Sequence, residues 1–247
     1  MMDISINQAK ISIVIVVRNA VKTIENTLKS IINQDYKNFE LIILDGLSTD
    51  GTLAVIEKYK NEITYFKSEK DNGIYDAMNK SIEHCTGDYI YFIGADDELN
   101  NKTVLADIFK NQLINDDIIY GNAFYIKRKK IRFGKINRYH LCKHNFNHQT
   151  IFYPKSVFKN YCYETKYTIW ADYYLNINLF FIAKYKFAYV KVIVSKFNDL
   201  GTSGINNIDM TFEKDRKKIV SEIFPFDVYV FHLARRLFLT LQRYFKN

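Results

Sequence analysis

The chain has 247 residues, 48% of them apolar and 25% charged, with a formal net charge of +8. Two prolines and nine glycines exclude long disordered linkers, and the apolar share suffices for a substantial core. No apolar run reaches the roughly 18 residues of a membrane span, and MMDISINQAK is not a basic leader followed by an apolar core, so a cytoplasmic protein is expected.

Ile11–Val17 (ISIVIVV) is a continuous β-branched run, the pattern of a strand buried on both faces. Residues 23–32 then place Ile24, Leu28, Ile31 and Ile32 at helical spacing. Residues 40–45 read as a second strand, and Asp50 is placed to cap a helix running to about Tyr59. A short strand over 63–67, a helix over 74–85 and a strand over 89–94 follow. This βαβαβαβ order predicts an α/β fold with a mostly parallel sheet and helices on both faces. After Asp97 the rhythm changes. The spacing predicts a helix over 102–112, a strand over 117–120 and a hairpin of 124–127 with 130–133. It then predicts a return to the sheet at 148–153, a short helix opened by Pro154, a long apolar helix over 171–183 and a last strand over 191–197. Residues 198–207, with Gly201 and Gly204, read as a loop, and helices close the chain. The expected division is a domain over 1–205 and a helical extension over 206–247.

Two strands end in acid. LIILD stops at Asp45, and IYFIGADDE stops at Asp96 and Asp97. Ligands of open α/β sheets sit beyond the carboxyl ends of the strands. Paired hard oxygen ligands there suit Mg²⁺ or Mn²⁺ and, through the metal, a diphosphate. The acidic ends therefore predict a site for a nucleotide and its metal.

The segments ISIVIVVRNAVKTIENTLKSIINQDYKNFELIILDGLSTDGT, SEKDNGIYDAMNKSI and TGDYIYFIGADDEL, with HQTIF later, resemble the family 2 glycosyltransferases. The resemblance implies an inverting enzyme with a GT-A fold that uses a nucleotide-activated sugar. The spelling is similar to bacterial members that build O-antigen, capsule and other exopolysaccharides. It covers residues 11–100 strongly, extends to about 203, and does not reach the C-terminal helices.

Carried over, the resemblance puts Val16, Arg18 and Asn19 beside the nucleotide, and Asp45 on the imino proton of uracil, so that a UDP-sugar is favoured. A carboxylate on a base N–H is a charge-assisted bond. The family's more usual Asp-Asp-Gly-Ser is here LDGLSTD, with one carboxylate fewer. Asp71, Tyr75, Asp76 and Asn79 fall near the donor sugar. Asp96 is expected toward ribose or sugar hydroxyls, and Asp97 on the divalent metal, Mn²⁺ or Mg²⁺. His148 and Gln149 are expected at the acceptor or diphosphate. Asp172, in WADYY, matches the general base for the acceptor hydroxyl, with Trp170 stacking on a sugar. Gly201, Ser203 and Gly204 match a small-residue loop that closes over the donor.

The positive charge admits an anionic partner. The run Lys127, Arg128, Lys129, Lys130, Arg132, Lys135 and Arg138 is either a solvated hairpin or an attraction to an anionic leaflet. In the last segment His232, Arg235, Arg236, Arg243 and Lys246 share one side of a helix, with Leu233, Leu237, Phe238, Leu241, Tyr244 and Phe245 opposite. That predicts a helix lying on an anionic membrane surface, and so a peripheral enzyme on the inner face of the cell membrane with a lipid-linked saccharide acceptor. His140, Cys142, His144 and His148 fit no standard zinc spacing. Three unpatterned cysteines fit reduced thiols. Two alternatives remain. A sugar nucleotidyltransferase wants a glycine-rich phosphate loop, which VVRNAVKT lacks. A basic nucleic-acid-binding protein wants a recognised motif, and no nucleic-acid partner is expected.

Overall fold

A computed structural model describes residues 8–110, 115–132, 134–145, 147–199 and 208–244, the side chains of 243 and 244 excepted. Gly201, Ser203, Gly204, Phe245 and Lys246 lie outside these residues.

The first half follows the predicted alternation. Strands β1 (Ile11–Val17), β2 (Phe39–Asp45), β3 (Tyr65–Ser68) and β4 (Tyr89–Gly94) are joined through helices α1 (Ile24–Ile32), α2 (Thr52–Glu57) and α3 (Ile74–Ile82). These strands are all parallel, in the order β3-β2-β1-β4. Alternate side chains of one strand serve two cores. Val14, Ile42 and Phe92 face one side, and Ile13, Ile15, Ile43 and Tyr91 the other. Residues with no outward face explain the unbroken apolar runs, and burying each such side chain contributes roughly 1.5–3 kcal/mol.

The second half extends the sheet with mixed directions. β5 (Glu98–Leu99), β6 (Ile118–Tyr125), β7 (Lys130–Arg132), β8 (Ile151–Pro154) and β9 (Phe187–Phe197) complete the order β3-β2-β1-β4-β8-β6-β9-β5, with β7 on β6. β8 runs antiparallel to β4 and to β6, while β9 runs parallel to β6. Helices α4 (Val104–Phe109), α5 (Arg138–Lys143), α6 (Ala171–Ile177), α7 (Met210–Ile223) and α8 (Phe226–Tyr244) surround it.

Several boundaries differ from the sequence reading. The strands expected over 117–120 and 124–127 are one strand, β6, which runs through Gly121 and Asn122, where its register against β9 shifts. The basic stretch ends in a helix, α5, whose cap Asn137 accepts from the Tyr139 and His140 amides. The apolar helix expected over 171–183 is α-helical only to Ile177 and continues as a π-turn over 178–182. Trp170 holds its cap position.

The C-terminal helices share the main core. Phe212, Ile219, Val220, Phe224 and Val228 pack with the residues of that face of the sheet. On α8, His232 is buried against Cys142, its Nδ1 3.6 Å from Sγ. Leu233, Leu237, Phe238 and Leu241 are exposed. Val228, Phe231, His232 and Arg235 of this helix thus turn toward the domain, while Arg236 and the apolar row Leu233, Leu237 and Leu241 face outward. Among the described residues no helix is long and apolar enough to cross a membrane.

At the amino end of the strands, Glu40 is a buried clamp. It accepts hydrogen bonds from Ser12 Oγ at 2.6 Å and Thr86 Oγ1 at 2.7 Å, and pairs with Lys10 at 2.7 Å. Burial alone would raise its pKa, but the bonds from Lys10, Ser12 and Thr86 hold it down to about 2.

Candidate active site

The parallel register brings the acidic strand ends together. Val17 lies opposite Asp45 and Val16 opposite Gly94, so β1, β2 and β4 finish side by side. Asp45 is buried; its Oδ2 accepts from Ser48 N at 3.0 Å and Ser68 Oγ at 2.6 Å. Its Oδ1 is buried without a partner among the described residues. Asn19, with left-handed backbone (φ 52°), donates its N–H to Ser48 Oγ and accepts from Thr49 N. Arg18 and Asp71 flank Gly46: a Cβ there would fall 2.4 Å from Asp71 Oδ2 and 3.5 Å from Arg18 Cδ. Val16, Arg18, Asn19, Asp45 and Asp71 therefore gather at one sheet end.

Asp71 accepts from Gly73 N, and Asp76 from Asn72 N while pairing with Lys80 at 3.0 Å. Asn79 points elsewhere. Its amide donates to Tyr163 O at 2.8 Å and accepts from Tyr163 N at 2.9 Å, which pins α3 to the segment before α6.

The two acids after β4 are held differently by the fold. Asp97 is buried, and both its oxygens are held: Oδ2 accepts from Gln149 Nε2 at 2.6 Å and Oδ1 from Asn198 N at 2.7 Å. Asp96 is half-buried, and its Oδ2 accepts from Asn198 Nδ2 at 3.0 Å. Burial, then the neighbouring Asp96, pushes the Asp97 carboxyl well above the usual range; burial raises Asp96 too. Glycine at 94 is required by this packing, since a Cβ there would lie 2.6 Å from Asp97 Oδ2 and 3.0 Å from Asp96 Oδ1. Two crowded carboxylates with no ion pair to a cation among the described residues have the chemistry of a hard-cation site. No group of three metal-binding side chains occurs among the described residues. A divalent ion here would take Asp96 and complete its shell with ligand oxygens and water, as Mg²⁺ commonly does.

On the other side of Gln149 stands a second buried group. Asp172 Oδ2 faces His148 Nδ1 at 3.2 Å, and its Oδ1 accepts from Tyr75 OH at 3.1 Å and Tyr173 N at 2.7 Å. Burial, with Asp172 beside it, raises the Tyr75 pKa far above its ordinary value, so this hydroxyl stays a donor. His148 Nε2 is buried and unpartnered among the described residues. Trp170 stands before Asp172, its N–H and that of Ile169 tied to Asp209 Oδ2 at 3.3 and 2.9 Å. The other oxygen of Asp209 caps α7.

Tyr75, His148, Gln149, Trp170 and Asp172 line a cavity of about 230 Å³. Four buried side-chain polar atoms that lack a hydrogen-bond partner among the described residues belong to residues lining this cavity: Asn145 Oδ1, Asn147 Nδ2, His148 Nε2 and Gln149 Oε1. Buried polar groups are normally satisfied, so the concentration of exceptions marks a place where a polar ligand binds.

Asn198 and Asp199 were not singled out from the sequence. Asn198 holds both Asp96 and Asp97, and Asp199 accepts from Lys127 N at 2.8 Å and lies 3.3 Å from Arg128. Their one local signal was the Asn-Asp pair where the β9 pattern stops.

Residues 12–197 match the family described as Glycosyl transferase family 2, so the chain belongs to that family. It is a glycosyltransferase, which displaces the nucleotidyltransferase and nucleic-acid readings. It is 32% identical over 212 residues to the PGL/p-HBAD biosynthesis glycosyltransferase of Mycobacterium tuberculosis, covering 82% of each chain. A cholesterol galactosyltransferase of Borreliella burgdorferi is 28% identical over 138 residues, 53% of this chain and 38% of that one. The fold is GT-A. Staphylococcus aureus TarS 1–349 in complex with UDP-GlcNAc superposes with a TM-score of 0.67 at 17% identity, over 86% of this chain and 66% of that one. The mannosyltransferase PcManGT of Pyrobaculum calidifontis, in complex with GDP-Man and Mn²⁺, gives 0.62 at 15% identity, over 93% and 64%. The chain thus spans about two thirds or less of these solved structures.

Proposed function

We propose that this protein transfers a sugar, with inversion, from a UDP-sugar to a hydroxyl of a lipid-linked saccharide in surface polysaccharide synthesis. The observation that carries the reading is the cavity of unpartnered polar atoms lined by His148, Asp172 and Gln149, the last of which also donates to Asp97. Solved neighbours are complexes with UDP, UDP-GlcNAc and GDP-Man, which supports a nucleotide-sugar donor.

In this reading Asp45 Oδ1 accepts the imino proton of the base, with Val16, Arg18, Asn19 and Asp71 around the nucleoside. Tyr75 and Asp76 stand at the start of α3, toward the donor sugar; Asn79 supports them from behind. Asp96 is the direct metal ligand and Asp97 its anchored neighbour. A bound Mn²⁺ or Mg²⁺ would stabilise the leaving nucleoside diphosphate. His148 and Gln149 face the acceptor, and Trp170 offers a sugar a stacking face. Asp172 has both oxygens engaged, so the acceptor proton goes to His148 Nε2, with Asp172 holding Nδ1–H and stabilising the charge that forms. This is the logic of a carboxylate-oriented imidazole base.

The outward apolar row of α8, Leu233, Leu237, Phe238 and Leu241, supports attachment to the cytoplasmic membrane face. The proposed organisation is a transferase domain over 1–205 and a helical extension over 206–247.

The test is a thermal-shift screen of nucleotide sugars with and without Mn²⁺. UDP-sugars should raise Tm with the logarithm of their concentration, more strongly with the metal. Failure of every nucleotide sugar to stabilise the protein would sink the reading.

A further inference from the structure

A second and larger cavity, about 560 Å³, lies between α5, α6, α7 and α8. Its lining includes Arg132, Lys135, Lys143, Arg216 and Arg235, and no Asp or Glu among the described residues. Four of these cations, Arg132, Lys135, Lys143 and Arg235, make no ion pair among the described residues. The fifth, Arg216, pairs with Glu213 yet leaves its Nε buried and unpartnered. Two of the guanidinium groups here also rest on rings. Arg132 lies 5.4 Å over Tyr125, and Arg216 lies 5.1 Å over Trp170. The crowding shows in a neighbour: burial, then Arg235, Lys143 and Arg132, holds His144 below its ordinary pKa.

Unpaired cations gathered around a hollow repel one another and favour an anion between them. Forked guanidinium groups from three different elements suit the several oxygens of a phosphate better than the single plane of a carboxylate. The cavity is continuous with the one holding His148 and Asp172: Tyr125, Arg132, Asn145 and Trp170 line both. An anion held here therefore belongs to a molecule that also reaches His148. The Asp45 and Asp96 end is not part of this lining, so that molecule is not the sugar donor.

We infer that this cavity binds a phosphate or diphosphate group of the acceptor, close in the acceptor to the hydroxyl that is attacked. The inference rests on the transferase reading for the word acceptor, but the anion site itself does not. Such a phosphate belongs either to a lipid-borne saccharide or to a soluble sugar phosphate.

The test uses the full chain, without metal, titrated with inorganic pyrophosphate, glucose 1-phosphate and geranyl diphosphate. The comparison is with the variant carrying Arg132→Gln and Arg235→Gln, and with Lys135→Gln alone on the exposed rim. A parallel titration with UDP and Mn²⁺ reads the donor site. Phosphate affinity should fall at least about tenfold in the double variant and less in Lys135→Gln, while UDP affinity stays within about twofold. Geranyl diphosphate binding well above glucose 1-phosphate assigns the lipid-borne source; equal binding of the two assigns the soluble one. Phosphate binding that survives the double variant unchanged, or no binding of any phosphate probe, overturns the site. Loss of UDP binding in the wild type with phosphate binding intact would refute the donor reading and leave the anion site standing.

Discussion

The two ends of the parallel strands treat a buried carboxylate in opposite ways. At the amino end Glu40 is surrounded by Lys10, Ser12 and Thr86, and its pKa is drawn down to about 2. At the carboxyl end Asp97 is equally buried, faces another carboxylate, and its pKa is driven far up. One end has its charge balanced by the chain itself. The other is left electrostatically incomplete, as a ligand site must be before the ligand arrives. In the proposed reading the contrast separates an acid satisfied by the chain from one that awaits a ligand.

Substitutions break or sharpen this contrast. The largest expected effect is at the site end. Asp172→Asn should lower transfer by roughly 10²–10⁴-fold while UDP binding persists, measured as kcat against donor Kd. His148→Gln should match it; a normal rate in His148→Gln would return the base role to Asp172 alone.

Next comes the structural end. Glu40→Gln should cost on the order of 2–3 kcal/mol at neutral pH, a Tm fall of roughly 5–10 °C, with unchanged rate per folded molecule. The sign in pH is fixed, because the folded pKa lies below the ordinary 4.5. The contribution is complete above about pH 4.5 and is lost as pH falls toward about 2. The gap between wild type and variant in urea melts should therefore close on acidification.

Asp45→Asn keeps an acceptor oxygen but removes the charge, so UDP affinity should weaken about tenfold by calorimetry. Smallest is Asp96→Asn. Without metal it should melt no lower than wild type, since it relieves a crowded pair. The Mn²⁺-induced stabilisation, about 1 kcal/mol at fivefold excess over Kd, should vanish.

The amino-terminal half was legible because its strands are buried on both faces and its acids fall at strand ends. The later half was less so. β6 reads as two strands because Gly121 and Asn122 interrupt its apolar run, and the pairing that keeps it whole comes from β9, dozens of residues away. The basic run hid α5, whose cap Asn137 is a local signal overshadowed by charge. The types of residue at the site were readable, but their partners were not. That Asp97 is tied down while Asp96 is less so depends on Gln149 and Asn198, which the fold delivers from far along the chain. The helical wheel of α8 was also correct in pattern, but only packing decides which side faces in.

The double attachment of Asp209 has a consequence for modularity. One carboxylate caps α7 and at the same time holds the amides of Ile169 and Trp170, next to Asp172. The C-terminal segment is therefore wired to the turn before α6, not hung behind it. A truncation after the family-matching region, or a tail exchanged with that of a homologue, removes this latch unless an acid is supplied at the same place. Designers of chimaeric transferases would have to move the tail and the turn as one cassette.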